Sequence, residues 1–430
     1  MAQGTREIHL EEDIVKYLVE KGGFHEVSPT AYDKELCLIP SEVIAFIQET
    51  QADKYNLLKL DQYGDKVDEK IVANVAKTYK DHKDKTLDLL RNKVKDRGVQ
   101  LDMVYWQPAN DKTPDHQLWY EQNRLAVVRQ LKYSKRNENS IDIVLFVNGI
   151  PVVTLELKNE LTGQNHHNAI KQYIQDRDPK GEPFLEFKRC LVHFAVGTEK
   201  VFMTTELKGK GTFFLPFNRG LDNFNENGFA TSFLWEDVLI KDSLLDLLQN
   251  YINVQTDVEK EYDNTTKNLK EKKSTKLLFP RFHQRRAVQR LLNVIKEEGV
   301  GKNYLIQHSA GSGKSNTITW LAYRLSGFYQ NDTDAKALYD SVIIVNDRRV
   351  LDKQIQDNIR QLDKTPGLVA YIDGNKTAQD LKQAIEEGKR IIITTIQKFP
   401  VISETIASMP DRTYAVIIDE AHSSQSGEAA

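Results

Sequence analysis

Cysteine is scarce in this sequence: Cys37 and Cys190 are the two in 430 residues. Two thiols make neither a disulfide framework nor a zinc cluster, which agrees with a reducing compartment. Long apolar runs are missing as well. No window approaches the roughly 18 uninterrupted apolar residues of a membrane helix. The N-terminus, MAQGTREIHLEED, has no apolar stretch of the signal-peptide kind, so a cytoplasmic protein is expected. Charge of one sign is lacking too, since 59 Lys and Arg against 62 Asp and Glu leave a net −3. That balance argues neither for nor against nucleic acid, because a basic surface can sit inside a balanced total. What remains is a globular composition, 40% hydrophobic and 28% charged, long enough for two or three domains.

The pattern divides into two halves. LEEDIVKYLVE (10–20) sets Leu10, Ile14, Val15 and Leu18 at helical spacing. Residues 41–101 continue in helical, lysine- and aspartate-rich pattern, read as a helical insertion with a solvated face. From about 123 the period changes: NRLAVVRQLKY, IDIVLFV and VVTLELK read as successive strands, the last two joined through Asn148-Gly149. RCLVHFAVG and KVFMTTEL read as a further pair. This first half, 1–255, is expected to be an α/β domain. TDVEKEYDNTTKNLKEKKSTK (256–276) holds little that could pack, so 256–278 reads as a charged linker or a solvated helix. Beyond it, NYLIQ (303–307), SVIIVN (341–346), RIIITT (390–395) and YAVIID (414–419) look like strands of a doubly wound parallel sheet over 279–430.

Chemistry concentrates in two places. HSAGSGKSNT (308–317) is expected to follow a strand and open a helix, the setting of a phosphate-binding loop. Gly311, Ser312 and Gly313 would turn backbone amides onto phosphate oxygens, Lys314 would reach the β and γ phosphates, and Ser315 would ligate Mg²⁺. The general pattern has Gly where His308 stands. Downstream, YAVIIDEAH (414–422) puts Asp419 and Glu420 at a strand end, placed to hold the Mg²⁺ and to polarise water. These residues resemble the superfamily 2 helicase and translocase motor, with its RecA-like domain and a DEAH box. By that likeness Gln284 of FPRFHQRRA reads adenine, Phe282 is a stacking candidate, and Arg348 and Thr394 are phosphate contacts on nucleic acid.

The second place is the end of VVTLELK. Phosphodiester hydrolysis needs a metal on the scissile phosphate and a group that readies water. In a strand Glu156 and Lys158 share one face while Leu155 and Leu157 point to the other. Asp142, on the preceding strand, joins them on one condition. With a simple two-residue turn at Asn148-Gly149, position 142 would pair with 155 and face away from Glu156. An odd-numbered loop or one bulge corrects the parity, so a three-residue or bulged connection is expected.

Asp142, thirteen residues, then Glu156-Leu157-Lys158 resembles the PD-(D/E)xK nuclease core. With NRLAVVRQLKYS, LEEDIVKYLVEKGGF, PFNRG and FLWEDVL around it, the chain resembles the R subunits of type I restriction-modification enzymes: nuclease first, then motor. The resemblance implies a restriction-endonuclease-like α/β domain followed by the first RecA-like P-loop domain. It implies a bacterial or archaeal ATP-dependent endonuclease and DNA translocase that cuts double-stranded DNA with methylation and specificity subunits. Asp142 and Glu156 would ligate Mg²⁺, and Lys158 would position or activate water. Glu11 or Glu12 would add an acid. Relatives carry Gln, three residues, Tyr after the core; here Tyr173 is present but Ala169 stands at the Gln position, leaving Gln172 or Lys171 as substitutes. His166 and His167 are read as loop residues rather than ligands.

R subunits continue far beyond the DEAH segment into a second motor lobe. The chain is therefore expected to bind ATP weakly, hydrolyse it poorly and not translocate, as a fragment, truncated product or expressed portion. Two other readings stand beside this one: a non-restriction superfamily 2 helicase or repair translocase, and a catalytically silent DNA-binding remnant.

Overall fold

The computed structural model describes residues 2–159, 163–220, 223–225, 228–263, 268–346, 355–360, 367–372 and 376–420, with backbone alone at 2–8, 259–272, 399 and 401–403. The chain is mixed α/β and forms two compact units, 1–108 with 114–281, and 109–113 with 282–430.

The first unit opens with α1 (Ala2–Glu20), whose Leu10, Ile14, Val15 and Leu18 are all buried as their spacing demands. After β1 (Phe24–Glu26), residues 41–101 are largely helical. They contain α2 (Pro40–Thr50), α3 (Ala52–Leu58), α4 (Val67–Asp81), α5 (Lys85–Arg91) and a short hairpin of β2 (Val94–Asp96) and β3 (Val99–Leu101). Next come α6 (Pro114–Glu121), β4 (Leu125–Lys132), β5 (Ser140–Val147), β6 (Ile150–Leu157), α7 (His166–Gln175), β7 (Val192–Val196), β8 (Val201–Thr204), β9 (Leu215–Pro216) and α8 (Lys241–Asp246). A seven-stranded sheet runs β1-β4-β5-β6-β7-β8-β9. β1 is parallel to β4 and β6 to β7, the other neighbours being antiparallel. All eight residues of β6 are buried, which its β-branched composition suits. Val128, Val144 and Phe146 from the sheet pack with Ala169 and Tyr173 of α7. Asn165 caps α7 in a reciprocal pair of bonds with Asn168.

The connection between β5 and β6 has two parts. Asn148 and Gly149 have φ of 49° and 81°, the two left-handed residues of a tight hairpin turn. A Cβ on residue 149 would lie 2.6 Å from the Ile39 carbonyl oxygen, so only glycine fits against the start of α2. The turn is therefore two residues long, with Val147 opposite Ile150. Phe146 opposes Pro151, but Leu145 opposes Val153, and the ladder continues with Ile143 opposite Leu155. Val152 is the extra residue of a β-bulge, and the next position sets Asp142 opposite Glu156. The expected bulge is present, two residues beyond the turn.

Within 256–276, the described residues 256–263 and 268–276 are not helical but belong to a long antiparallel ribbon, β10 (Asn253–Asp263) with β11 (Asn268–Leu278). Leu277 is buried at its base, where the Thr205 hydroxyl donates to the Leu277 carbonyl, and Lys276 pairs with Asp257 at 3.1 Å. Such a ribbon satisfies its own backbone through the ladder and needs little core, so apolar periodicity does not signal it.

In the second unit α9 (Phe282–Glu298) and α10 (Lys314–Ser326) precede a parallel sheet of order β13-β14-β12-β15. Its strands are β12 (Ser341–Asn346), β13 (Val369–Tyr371), β14 (Ile391–Thr395) and β15 (Tyr414–Ile418). Three of the four expected strands form. NYLIQ does not: 302–309 carry no strand, and Leu305 is 87% exposed. An apolar run shows that a segment can pair, not that it finds an edge. Among the described residues no helix is long and apolar enough to cross a membrane.

Candidate functional site

At the end of β6 the structure brings Asp142 and Glu156 together. Asp142 Oδ2 accepts the Leu157 backbone N–H at 2.7 Å, and its Oδ1 accepts from Gln130 Nε2 at 3.3 Å. Glu156 is fully buried. Its Oε1 accepts from Arg177 Nε at 2.7 Å, while its Oε2 meets no N–H or hydroxyl donor among the described residues. Burial, with Asp142 facing it, pushes the Glu156 carboxyl well up, and Arg177 pulls it the other way. Lys158 follows the strand end. Its backbone N–H bonds the Val196 carbonyl at 2.8 Å, extending the β6–β7 ladder by a residue, and its side chain is half-buried.

Arg177 is the residue that sequence reasoning missed. It lies just past α7, four positions after Tyr173, and its Nη2 donates to the Ser140 carbonyl at 2.6 Å, so it ties β5 and β6 together at the carboxylate end. The one-turn spacing from Tyr173 was the available signal. Tyr173 is buried and shares the Thr154 hydroxyl with His193, at 2.8 and 2.7 Å. Burial drives the His193 pKa down to about 3, so this ring is neutral. Neither Gln172 nor Lys171 has a hydrogen bond to the carboxylates; the side chain from this region that bonds Glu156 is Arg177.

Of Glu11 and Glu12, Glu11 approaches the site. It accepts from Arg129 Nε at 2.6 Å and from Gln130 Nε2 at 2.8 Å, and Gln130 in turn touches Asp142. Gln130 holds φ at 48° inside β4, a strained backbone beside the acids. Glu12 pairs with His9 instead. His166 stacks on Phe202 at 4.9 Å, and burial followed by His167 and Lys200 lowers its pKa to about 4. Among the described residues no group of three or more His, Cys, Asp or Glu side chains could hold a metal ion.

The second centre lies at the start of α10. Gly311 and Gly313 have φ of 72° and 84°, as a loop turning its amides inward requires. A Cβ on residue 313 would come 2.4 Å from Gln284 Nε2, which donates to the Gly313 carbonyl at 2.9 Å. Ser312 is held by His283 at its carbonyl and by His308 at its hydroxyl, at 3.1 and 2.9 Å. His308 thus braces the loop where the general pattern has glycine. Lys314 reaches Asp419 at 2.9 Å and also pairs with Glu420. Burial would lower the Lys314 pKa, but Glu420 and Asp419 outweigh it and raise it. Ser315 sits in the first turn of the helix, half-buried.

The remaining motor candidates fare differently. Phe282 and Thr394 are buried, Thr394 completely and with its hydroxyl unpartnered among the described residues, so Phe282 presents no open ring face for stacking and Thr394 no surface to nucleic acid. Arg348 lies outside the described residues.

Comparison with known proteins finds similarity over both halves of the chain. Residues 10–212 match the family described as the type I restriction enzyme R protein N terminus, and 283–430 match the SWI2/SNF2 ATPase family. A type I restriction enzyme endonuclease subunit from Staphylococcus saprophyticus is 25% identical over 313 residues, covering 71% of this chain and 30% of that protein. The HindI endonuclease subunit from Haemophilus influenzae is 26% identical over 328 residues, covering 71% and 28%. A Methanocaldococcus jannaschii protein provisionally named as such a subunit is 24% identical over 336 residues, covering 72% and 30%. The chain spans about 30% of the length of these relatives, and its similarity is to the N-terminal portion of type I restriction R proteins.

Proposed function

We propose that this chain carries the nuclease and first motor portion of a type I restriction R subunit. The reading is a metal-dependent endonuclease on double-stranded DNA, coupled in the complete protein to ATP-driven translocation and assembled with methylation and specificity subunits. One observation carries it: Asp142 and Glu156 stand face to face, with one Glu156 oxygen buried and unpartnered.

A buried carboxylate oxygen without a donor calls for a partner, and a hard divalent cation such as Mg²⁺ suits it, held by Asp142 and Glu156. Bound there, the ion would polarise the scissile phosphate and acidify a coordinated water. The chain's own residues supply the rest. Arg177 fixes Glu156 with Oε2 clear, and the Leu157 amide fixes Asp142. Lys158 would orient the water that attacks phosphorus, that water giving a proton to solvent as the P–O3′ bond breaks and the 3′ oxygen taking one from solvent, and would offset the charge growing on the phosphate. In the second unit, Gly311, Ser312 and Gly313 offer backbone amides to ATP, and Lys314 exchanges its carboxylate partners for the β and γ phosphates. Ser315 and Asp419 hold Mg²⁺ there, Glu420 polarises the attacking water, and Gln284 reads adenine.

Incubating supercoiled plasmid with the purified chain and Mg²⁺ tests the reading. Nicking is expected, and its loss in both Lys158→Ala and Asp142→Asn. Nicking that persists in both variants would remove the site from consideration.

A further inference from the structure

The first unit also carries a cavity of about 820 Å³ between α3, the end of α5 and α6. Tyr105, Trp106 and Trp119 line it, with Lys54, Arg91 and Lys93. The Tyr105 and Trp119 rings are 5.0 Å apart, and His116 extends the stack at 5.1 Å from Trp119. Trp106 and Trp119 are both half-buried, whereas Trp235 and Trp320 are buried. Two large flat rings kept partly open to water in a chain with four tryptophans are a stacking surface without a described stacking partner for Trp106.

The charges beside the rings balance, Lys54, Arg91 and Lys93 against Glu49, Asp53 and Asp102. Lys54 and Lys93 both bond the same oxygen of Asp102, at 3.1 and 3.2 Å. A second lining acid, Glu49, is taken up by Arg124 at 2.9 Å. Arg91 is held by three neutral carbonyls, of Leu248, Gln249 and Ile252, and has no carboxylate in contact among the described residues. Asp53, exposed at the rim, is the remaining lining acid. A phosphate that displaced Asp102 would meet two of the three cations, Lys54 and Lys93.

We propose that this cavity binds a nucleotide of an unpaired DNA strand, its base stacked on Trp106 and Trp119 and its phosphate drawn to Lys54 and Lys93. Bases in a duplex are already stacked on each other and cannot offer a face to the rings. Unpaired ones can. A free nucleotide shares this chemistry, so the test separates the two sources.

Because the two lining tryptophans are the partly open ones, intrinsic fluorescence reports on the cavity. The full chain is titrated in EDTA, where no cleavage occurs, with a twelve-residue oligothymidylate, with a blunt duplex of equal length, and with AMP. Quenching by the oligothymidylate at lower concentration than by the duplex or AMP is expected. Trp119→Leu should weaken binding at least tenfold, followed by anisotropy of labelled strand, and Trp119→Phe should restore it to within about threefold. Lys93→Glu should weaken it severalfold and flatten its salt dependence. Equal affinity of the Trp119→Leu chain and the parent, or preference for duplex or AMP, overturns the proposal. Neither readout needs cleavage, so the outcome is independent of the nuclease reading.

Discussion

Arg177 and Glu156 form a buried ion pair, 2.7 Å from Nε to Oε1, with both side chains almost wholly removed from water. The guanidinium also holds the Ser140 carbonyl, so one side chain joins the start of β5 to the end of β6. Removing one member of a buried pair strands the other, which typically costs about 3–5 kcal/mol. Arg177→Met should therefore lower stability to urea by about that amount. Replacing both residues, Arg177→Met with Glu156→Leu, should recover most of it. If the single and double variants unfold alike, the pair is not what holds this end of the sheet.

Lys158 predicts a different signature. Its side chain is half-buried and forms no ion pair with a described residue, so its loss should leave the fold alone. Lys158→Ala is expected to melt within about 0.5 kcal/mol of the parent while losing plasmid nicking. A large drop in stability would make the lysine structural.

The loop at 311–313 is clamped by its own chain. Lys314 bridges Asp419 and Glu420, so Lys314→Ala leaves two carboxylates side by side and removes the cation offered to phosphate. Crosslinking of an azido-ATP analogue should vanish in this variant, and labelling equal to the parent would exclude the loop as the nucleotide site. Gly313→Ala should reduce labelling too, since its new methyl would meet Gln284.

Acid stability has an identifiable source away from either centre. Burial alone would raise the Glu42 carboxyl, but His25 and Arg124, both bonded to it, bring it down to about 2 from an ordinary 4.5. A carboxyl so lowered stays charged in the fold while the unfolded chain takes up a proton. Its contribution, about 3 kcal/mol, is complete above pH 4.5 and fades as pH falls toward 2. Arg124→Leu should therefore reduce stability near neutrality and flatten its acid dependence across that window. An unchanged acid limb in the variant would refute the assignment.

Much of this was legible in the sequence because strands with one chemistry per face announce themselves. The β4–β6 run, the helical spacing of Leu10 to Leu18, and the need for a bulge followed from period and parity. Arg177 left only its one-turn spacing from Tyr173 as a trace: its partner is 21 residues away, and a lone arginine after a helix looks like any solvated one. Gln130 was hidden for a related reason, since a left-handed residue inside a strand leaves no trace in an apolar pattern. The β10–β11 ribbon has too few apolar residues to show a period. NYLIQ misled in the opposite sense, having a strand's composition without a pairing edge.

The Val152 bulge limits how this hairpin can change length. A two-residue turn pairs positions an odd number apart, and Asp142 and Glu156 are separated by an even number, so one strand must carry a surplus residue. Losing a residue at the bulge itself would straighten β6 and keep the two acids opposed, whereas losing one between Val153 and Leu155 would turn Glu156 to the opposite face unless the bulge were also lost. Lineages that shorten or lengthen this hairpin by one should do so at the bulge or the turn, or lose the site.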